Sequence, residues 1–293
     1  MAKTAVVTQK SLKTKVNNIN KPNVPVAITA APVPNKADKL AKVENAQRRG
    51  VLVLADGVAP SSAPAGSSDK AKLRKASEGV LVIDVGGTNV KMFMSCFKEP
   101  AKVPSGPTMT VRKMVAIVKT TTADWTYDRI SIGYPGPIIN GRPLREPHNL
   151  GGGWVGFDYK KAFGVPVKIM NDASMQALGS YEGGRMLFLG LGTGLGSAMI
   201  VDGVLQPMEL AHLSYKKGKT YEDYLGVRGL KKSGKKKWRK NVAKITEKLK
   251  EALAADYVVL GGGNSKKLKK IPEGARLGKN DNAFKGGFRV WEV

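Results

Sequence analysis

The stretch Val80-Leu81-Val82-Ile83-Asp84-Val85-Gly86-Gly87-Thr88-Asn89-Val90-Lys91 decides how the rest of the chain is read. An apolar, β-branched run ends in an aspartate and a glycine pair. A second run follows, in which Val90, Met92 and Met94 alternate with Lys91, Phe93 and Ser95. That pattern is strand, tight turn, strand. Gly86 and Gly87 let the backbone turn closely and expose N–H groups, which with Thr88 can cradle an anionic phosphate. Asp84, at the end of a buried strand, is placed to hold a divalent cation or its water shell. Asp-x-Gly-Gly also closes ordinary turns, so on this stretch alone both readings stand.

At 293 residues the chain has room for one large domain or two modest ones, and 42% hydrophobic residues suffice for a core. The 49 Lys+Arg against 23 Asp+Glu, a net charge of +26, imply a polyanionic partner: nucleic acid, an anionic surface or an inorganic polyanion. One cysteine, Cys96, excludes an intrachain disulfide and any multi-cysteine metal site. It falls in the second strand pattern and reads as a small buried hydrophobe. No run approaches the length of a membrane span, and the start carries no signal-type apolar segment, so the expected location is cytoplasmic.

Residues 1–77 differ from the rest. They are rich in Ala, Pro, Lys, Ser and Val, contain no aromatic residue, and carry 14 basic against 4 acidic residues. Too little apolar surface is available to offset the entropy of ordering, so a disordered basic tail is expected. Val51-Leu52-Val53-Leu54 is an isolated apolar patch within it, a candidate transient strand. The tail's lack of acids before Asp38 is a transit-peptide trait, but its early positive charges are all lysine, with no arginine before Arg48.

From residue 78 the composition becomes globular. Strand signals fall at 80–85, 90–97, 129–134, 166–170, 186–191, 196–201 and 257–260, and helical patterns at about 158–163, 173–182 and 239–254. In the last, Val242, Ile245, Leu249 and Leu253 share one face and lysines surround the other. Strands followed by helices, with the theme repeated, argue an α/β chain of two lobes.

A second glycine cluster, Gly190-Leu191-Gly192-Thr193-Gly194-Leu195-Gly196-Ser197, lies between two apolar runs and forms another hairpin suited to a phosphate contact. A dinucleotide fingerprint is not met: counted from Gly190, Gly192 or Gly194, the sixth position is Leu195, Ser197 or Met199. Gly229-x-x-x-x-Gly234-Lys235 misses the P-loop pattern, because Lys236 follows and no strand precedes it. Ile169-Met170-Asn171-Asp172-Ala173 ends a strand before a helix. Asn171 or Asp172 is a natural N-cap, and Asp172 is equally a base for a substrate hydroxyl. An ordinary aspartate is ionised at neutral pH, so that role needs no special tuning. Glu209-Leu210-Ala211-His212 would share a face on one helical turn, although a lone histidine is more often structural. Glu222 in Tyr221-Glu222-Asp223-Tyr224 is ambiguous, and Asn149 in His148-Asn149-Leu150-Gly151-Gly152-Gly153-Trp154 sits in what a flexible turn would also explain.

In order, Asp-x-Gly-Gly-Thr at 84–88, Tyr-Pro-Gly-Pro at 134–137, Asn-Asp-Ala at 171–173, Gly-Thr-Gly at 192–194, Glu-x-x-His at 209–212 and Gly-Gly-Gly at 261–263 resemble the ROK family of sugar kinases and repressors. Gly133-Tyr-Pro-Gly-Pro, Asn149-Leu-Gly-Gly-Gly-Trp and Glu209-Leu-Ala-His-Leu are most similar to its polyphosphate glucokinase branch. The resemblance covers about 78–293. It implies an actin-like ATPase (RNase H-like) fold, with lobes at about 78–172 and 173–293.

The resemblance also implies roles. Asp84, Gly86, Gly87, Thr88, Asn89 and Lys91 would form the first phosphate loop, with Asp84 toward Mg²⁺, and Gly192, Thr193 and Gly194 the second. Asn149, Asn171, Asp172, Glu209, His212 and Glu222 would line the hexose, Asp172 acting as base on the 6-hydroxyl. Gly261–Gly263 would match a segment that packs near adenosine in ATP-using relatives. The family's one-histidine, three-cysteine zinc site is not expected here. Ala211 replaces a customary glycine and threatens to crowd a turn, and the closing segment Asn282–Phe288 only loosely echoes the family's small-residue helix.

The expected activity is Mg²⁺-dependent phosphoryl transfer to glucose from inorganic polyphosphate, with ATP as a second donor. Lys231, Lys232, Lys235, Lys236, Lys237, Arg239 and Lys240 would hold the polyphosphate, since Lys216–Lys250 carries 14 basic against 3 acidic residues. No membrane partner is expected, nucleic acid would bind only non-specifically, and a homodimer is the assembly left open. The rivals are an ATP-dependent glucokinase on the same fold, and a sugar-sensing or nucleic-acid-binding protein without catalysis. Against the last, no helix-turn-helix pattern precedes residue 78 and both Asp84 and Asp172 are present.

Overall fold

The computed structural model describes residues 52–53, 79–279 and 281–292. The expected tail at 1–77 lies outside them except for Leu52–Val53, which form a short strand, β1.

The first sheet grows from the apolar runs at either side of the first glycine turn. It contains β2 (Val80–Val85), β3 (Asn89–Phe93), β4 (Ala101–Pro104), β5 (Arg129–Tyr134) and, after a small ribbon of β6 (Ile138–Ile139) and β7 (Arg142–Pro143), β8 (Val167–Asn171). Their order is β4-β3-β2-β5-β8. β2 lies parallel to β5 and antiparallel to β3, and this register sets Asp84 opposite both Lys91 and Gly133. Every residue of β2 except Asp84 is buried, as a strand covered on both faces requires. Helix α1 (Val111–Thr121), capped by Thr110 Oγ1 on Lys113 N–H (3.3 Å), packs Met114 and Val118 against this sheet. A short α2 spans Tyr159–Phe163.

The second sheet comprises β9 (Arg185–Leu191), β10 (Leu195–Val201), β11 (Val204–Met208), β14 (Tyr257–Gly261) and β15 (Ala275–Leu277), in the order β1-β11-β10-β9-β14-β15. A hairpin of β12 (Ser214–Lys216) and β13 (Lys219–Thr220) stands apart from it. Between the sheets lie α3 (Asp172–Ser180) and the last helix, α6 (Asn282–Arg289). They cross so closely that a Cβ at Gly179 would overlap the Asn282 carbonyl, and one at Gly286 the Met175 carbonyl. The loose echo expected of this segment is therefore a full closing helix. It also docks on the first sheet: Ser131 Oγ donates to the Gly287 carbonyl (2.5 Å), and Trp291 Nε1 donates to Ser131 Oγ (2.8 Å). Arg289 Nη1 donates to the carbonyls of Leu178 and Tyr181, satisfying the end of α3.

On the outer side of the second sheet, α4 (Tyr221–Leu225) leads into α5 (Val227–Ala252). α5 begins twelve residues before the helical pattern at 239–254, and the near-miss P-loop glycines lie inside it, with Gly234 at φ 73° marking a kink. Trp238, Val242, Ile245 and Leu249 are its buried stripe. The strand expected over 90–97 stops at Phe93. Cys96 is exposed in the following turn, not buried as its apolar neighbours suggested.

Candidate active site

The first glycine turn is braced from a distance. Gly86 N–H donates to the Asn89 carbonyl (3.0 Å), and Ser105 holds both sides, its hydroxyl on the Gly86 carbonyl (2.6 Å) and its N–H on the Thr88 carbonyl (2.9 Å). Gly87 and Thr88 remain exposed. Lys91 Nζ reaches Asp84 Oδ2 at 3.0 Å, so the strand register places a cation on this carboxylate directly. Asn149 lies against Gly87, where a Cβ would come within 3.2 Å of the asparagine's own. Its loop is not a flexible turn. Gly151 N–H bonds the Met109 carbonyl (3.0 Å), buried Trp154 bonds the Gly151 carbonyl through Nε1 (2.5 Å), and Glu146 accepts the N–H groups of Trp154 and Val155.

The N-cap and base readings of the next motif divide between its two residues. Asn171 caps α3, its Oδ1 accepting from Ala173 N–H (2.9 Å) and Ser174 N–H (3.3 Å), while its Nδ2 donates to the Gly136 carbonyl (3.0 Å). Asp172 is thereby released from capping and held in the first turn of α3. Burial pushes its carboxyl up to about 7, reinforced by the negative charges of Asp84 and Glu209, while a hydrogen bond from Ala173 N–H (2.7 Å) opposes the rise. Desolvation and like charge win over the helix terminus here. The expectation that this aspartate needs no tuning is corrected: its surroundings hold it near neutrality.

Glu209 and His212 follow β11 in a turn rather than a helix, and His212 Nε2 still lies 4.0 Å from Glu209 Oε1. Ala211 is buried and keeps an ordinary backbone, since the non-glycine residues with positive φ are Asn140, Asp202, Lys217 and Ala254. Its methyl group crowds no left-handed turn. Asn171, Ser174 and Glu209 face a cavity of about 530 Å³ whose wall includes Asn140 and Arg142 from the β6–β7 ribbon, a volume usual for small-molecule sites.

The second turn joins β9 to β10, Leu191 opposite Leu195. Glu222, expected beside the hexose, sits at this turn. Its Oε2 accepts Leu195 N–H (3.2 Å) and fills the space that a Cβ on Gly194 would take. Arg228 Nη2 holds its other oxygen at 3.2 Å. Val227, the first residue of α5, donates its N–H to the Thr193 carbonyl (3.1 Å). Asn264, directly after the Gly261–Gly263 run, donates through Nδ2 to the Gly192 carbonyl (2.9 Å). Ser105, Arg228 and Asn264 were not singled out by sequence. Only Asn264, next to a glycine triad, offered a local signal.

The lysines and arginine expected to hold polyphosphate lie on α5, where Lys231, Lys232, Lys235, Lys236, Lys237 and Lys240 are exposed. Arg239 turns its Nε to the Lys267 carbonyl (2.7 Å). Lys219 of β13 adjoins Lys232 and lowers the pKa of its amine, so the basic surface extends onto the hairpin. Among the described residues no three His, Cys, Asp or Glu side chains cluster as a metal site. The donors nonetheless suit Mg²⁺, which takes one or two carboxylates and completes its shell with water and phosphate oxygens. Asp84, near enough to Asp172 to raise its pKa, is the carboxylate that would hold the ion. No helix among the described residues is long and apolar enough to cross a membrane.

No model of a known protein family matches the sequence. The polyphosphate glucokinase of Mycobacterium leprae is 28% identical over 210 residues, covering 63% of this chain and 63% of that protein. The polyphosphate glucokinase of Mycobacterium tuberculosis strain H37Rv is 29% identical over 213 residues, 64% of this chain and 78% of that one. The chain thus spans a little under two thirds of the length of the first of these relatives. Among solved structures, the inorganic polyphosphate/ATP-glucomannokinase of Arthrobacter sp. strain KM superposes with a TM-score of 0.62 at 22% identity, over 71% of this chain and 96% of that one. The ROK hexokinase of Thermus thermophilus gives 0.55 at 19%, over 72% and 97%. The fold is that of the ROK sugar kinases, an actin-like ATPase architecture, and the sequence is similar to polyphosphate glucokinases.

Proposed function

We propose that this chain, folded as the ROK sugar kinases are, transfers the terminal phosphoryl group of inorganic polyphosphate to the 6-hydroxyl of glucose. The observation that carries the reading is the environment of Asp172: a carboxyl held at about 7 by burial and by Asp84 and Glu209, on the helix turn whose Asn171 and Ser174 line, with Glu209, a cavity of about 530 Å³ that Asp172 itself does not line. A base poised there is ionised in part at neutral pH and still basic enough to take a hydroxyl proton. As it does so, the oxygen attacks the terminal phosphorus, and the donor leaves one phosphate shorter.

Asn171, Glu209, His212 and Asn149 would orient the sugar. The exposed N–H groups and Thr88 of the first turn, and Gly192–Gly194 of the second, would hold the phosphates. Glu222 would act by shaping the second turn. Mg²⁺, held by Asp84 and donor oxygens, would neutralise phosphate charge. Lys91, 3.0 Å from Asp84 Oδ2, would align that carboxylate.

Polyphosphate is favoured over ATP by charge distribution. ATP presents its few charges at one point, whereas polyphosphate presents about one per phosphate along a chain and can offset lysines spread along α5. Formation of glucose 6-phosphate, coupled to a dehydrogenase readout, tests this with polyphosphate and ATP as alternative donors. A higher kcat/KM with polyphosphate, rising with its length, is expected. Turnover with ATP alone would assign the chain to the ATP-dependent reading, and none with either donor would remove catalysis.

A further inference from the structure

A second lysine run, Lys266-Lys267-Leu268-Lys269-Lys270, belongs to neither glycine turn nor to α5, yet it is linked to the second turn through Asn264 and to α5 through Arg239. Lys267 Nζ donates to Asn264 Oδ1 (2.6 Å), and Asn264 Nδ2 donates to the Gly192 carbonyl (2.9 Å). One asparagine therefore fixes this ammonium to the second turn. On its other side, Arg239 Nε donates to the Lys267 carbonyl (2.7 Å), which ties the run to the middle of α5. The segment is anchored beneath: Gly262, at φ 77°, lies against the backbone of Leu191, and Asn264 N–H donates to the Leu191 carbonyl (2.9 Å).

Four exposed lysines within five residues, next to the lysines of α5, repel one another. Among the described residues, no ion pair uses any lysine of 231–240 or 266–270. An unpaired concentration of one sign, held in place by hydrogen bonds, calls for a polyanion.

Resting on the donor assignment above, we infer that Lys266–Lys270 is the subsite through which a polyphosphate chain passes from the Gly192–Gly194 turn, over Arg239, onto the lysines of α5. The two basic surfaces then form one continuous track starting at the reacting end. A chain of a few phosphates would reach only the turn and Lys267, whereas a long one would occupy the run and the helix in succession.

The test replaces Lys266, Lys269 and Lys270 together by alanine in the full chain, leaving Lys267 and its hydrogen bonds intact. Equilibrium binding of long-chain polyphosphate and of tripolyphosphate is measured at several salt concentrations, with KM for both donors and for glucose. Long-chain affinity is expected to fall about tenfold or more at moderate salt, and the slope of log Kd against log salt to drop by about 2, given about 0.7 per lost contact on a flexible polyanion. Tripolyphosphate affinity and glucose KM should not move. Equal losses for both chain lengths, or an unchanged salt slope, would overturn the track even if the enzyme uses polyphosphate. If the parent chain fails to transfer phosphate from polyphosphate, the proposed function fails, and the track still stands or falls on the binding measurement.

Discussion

Replacing Asp172 by asparagine should stabilise the protein at alkaline pH, even as it removes the base. The carboxyl titrates ordinarily near 3.8 and in the folded chain near 7. Between these values the folded state holds a proton that the unfolded state has lost. Stability therefore falls as pH rises through this window, and the penalty is complete above about 7. A shift of this size is worth up to about 4 kcal/mol at about 1.4 kcal/mol per pH unit, and water reaching part of the carboxyl reduces it to about 2. At pH 5 only about a third of the penalty has developed. The asparagine variant, which does not titrate, should gain about 1–2 kcal/mol on the parent between pH 5 and pH 8. For a domain of this size that is about 3–6 °C in Tm. Thermal melts of both proteins at pH 5, 6, 7 and 8 and constant ionic strength read it directly. A Tm difference that is flat with pH, or that shrinks toward pH 8, would refute the placement of this carboxyl among burial, Asp84 and Glu209.

The same variant should lose about 10²–10⁴ in kcat while glucose affinity stays within about tenfold, measured by coupled assay and calorimetry; more than a tenth of parental kcat would remove Asp172 as base. In the parent, kcat should climb with pH to a plateau above about 7, and Glu209→Gln should move that limb toward acid, because one of the charges raising Asp172 is gone. Gly286→Ala, which drives a methyl group into the Met175 carbonyl, should cost about 1–3 kcal/mol by urea denaturation, and no measurable cost would contradict the α3–α6 crossing. Deleting residues 1–77 should leave glucose KM unchanged but cost about 1 kcal/mol relative to deleting 1–49, because β1 pairs Leu52 with Leu205 and Val53 with Val204. Equal melting of the two truncations would sink that pairing.

Much of this fold was legible because its strands are short, apolar and punctuated by glycine. β2 and the β9–β10 hairpin lie where their patterns end. The start of α5 was hidden because Gly229, Gly234 and a lysine run interrupt the apolar stripe, which only Leu230 and Trp238 carry before Val242. α6 was hidden by Gly286 and Gly287, poor helix formers that are required because two backbones meet there. In the site, motif order brought Asp84, Asn171, Asp172 and the two glycine turns to notice. The pKa of Asp172 was not legible, since it depends on charges 88 residues before it and 37 after. Glu222 was singled out by its motif, but its position was not legible: its tie to Leu195 N–H spans 27 residues and has no local signature.

The most direct test is phosphorus NMR of one reaction holding the full chain, Mg²⁺, glucose, polyphosphate and ATP together. A single new monoester resonance of glucose 6-phosphate is expected, with loss of internal polyphosphate signal and ATP largely preserved. Growth of ADP with polyphosphate untouched, or no monoester at all, would contradict the assignment.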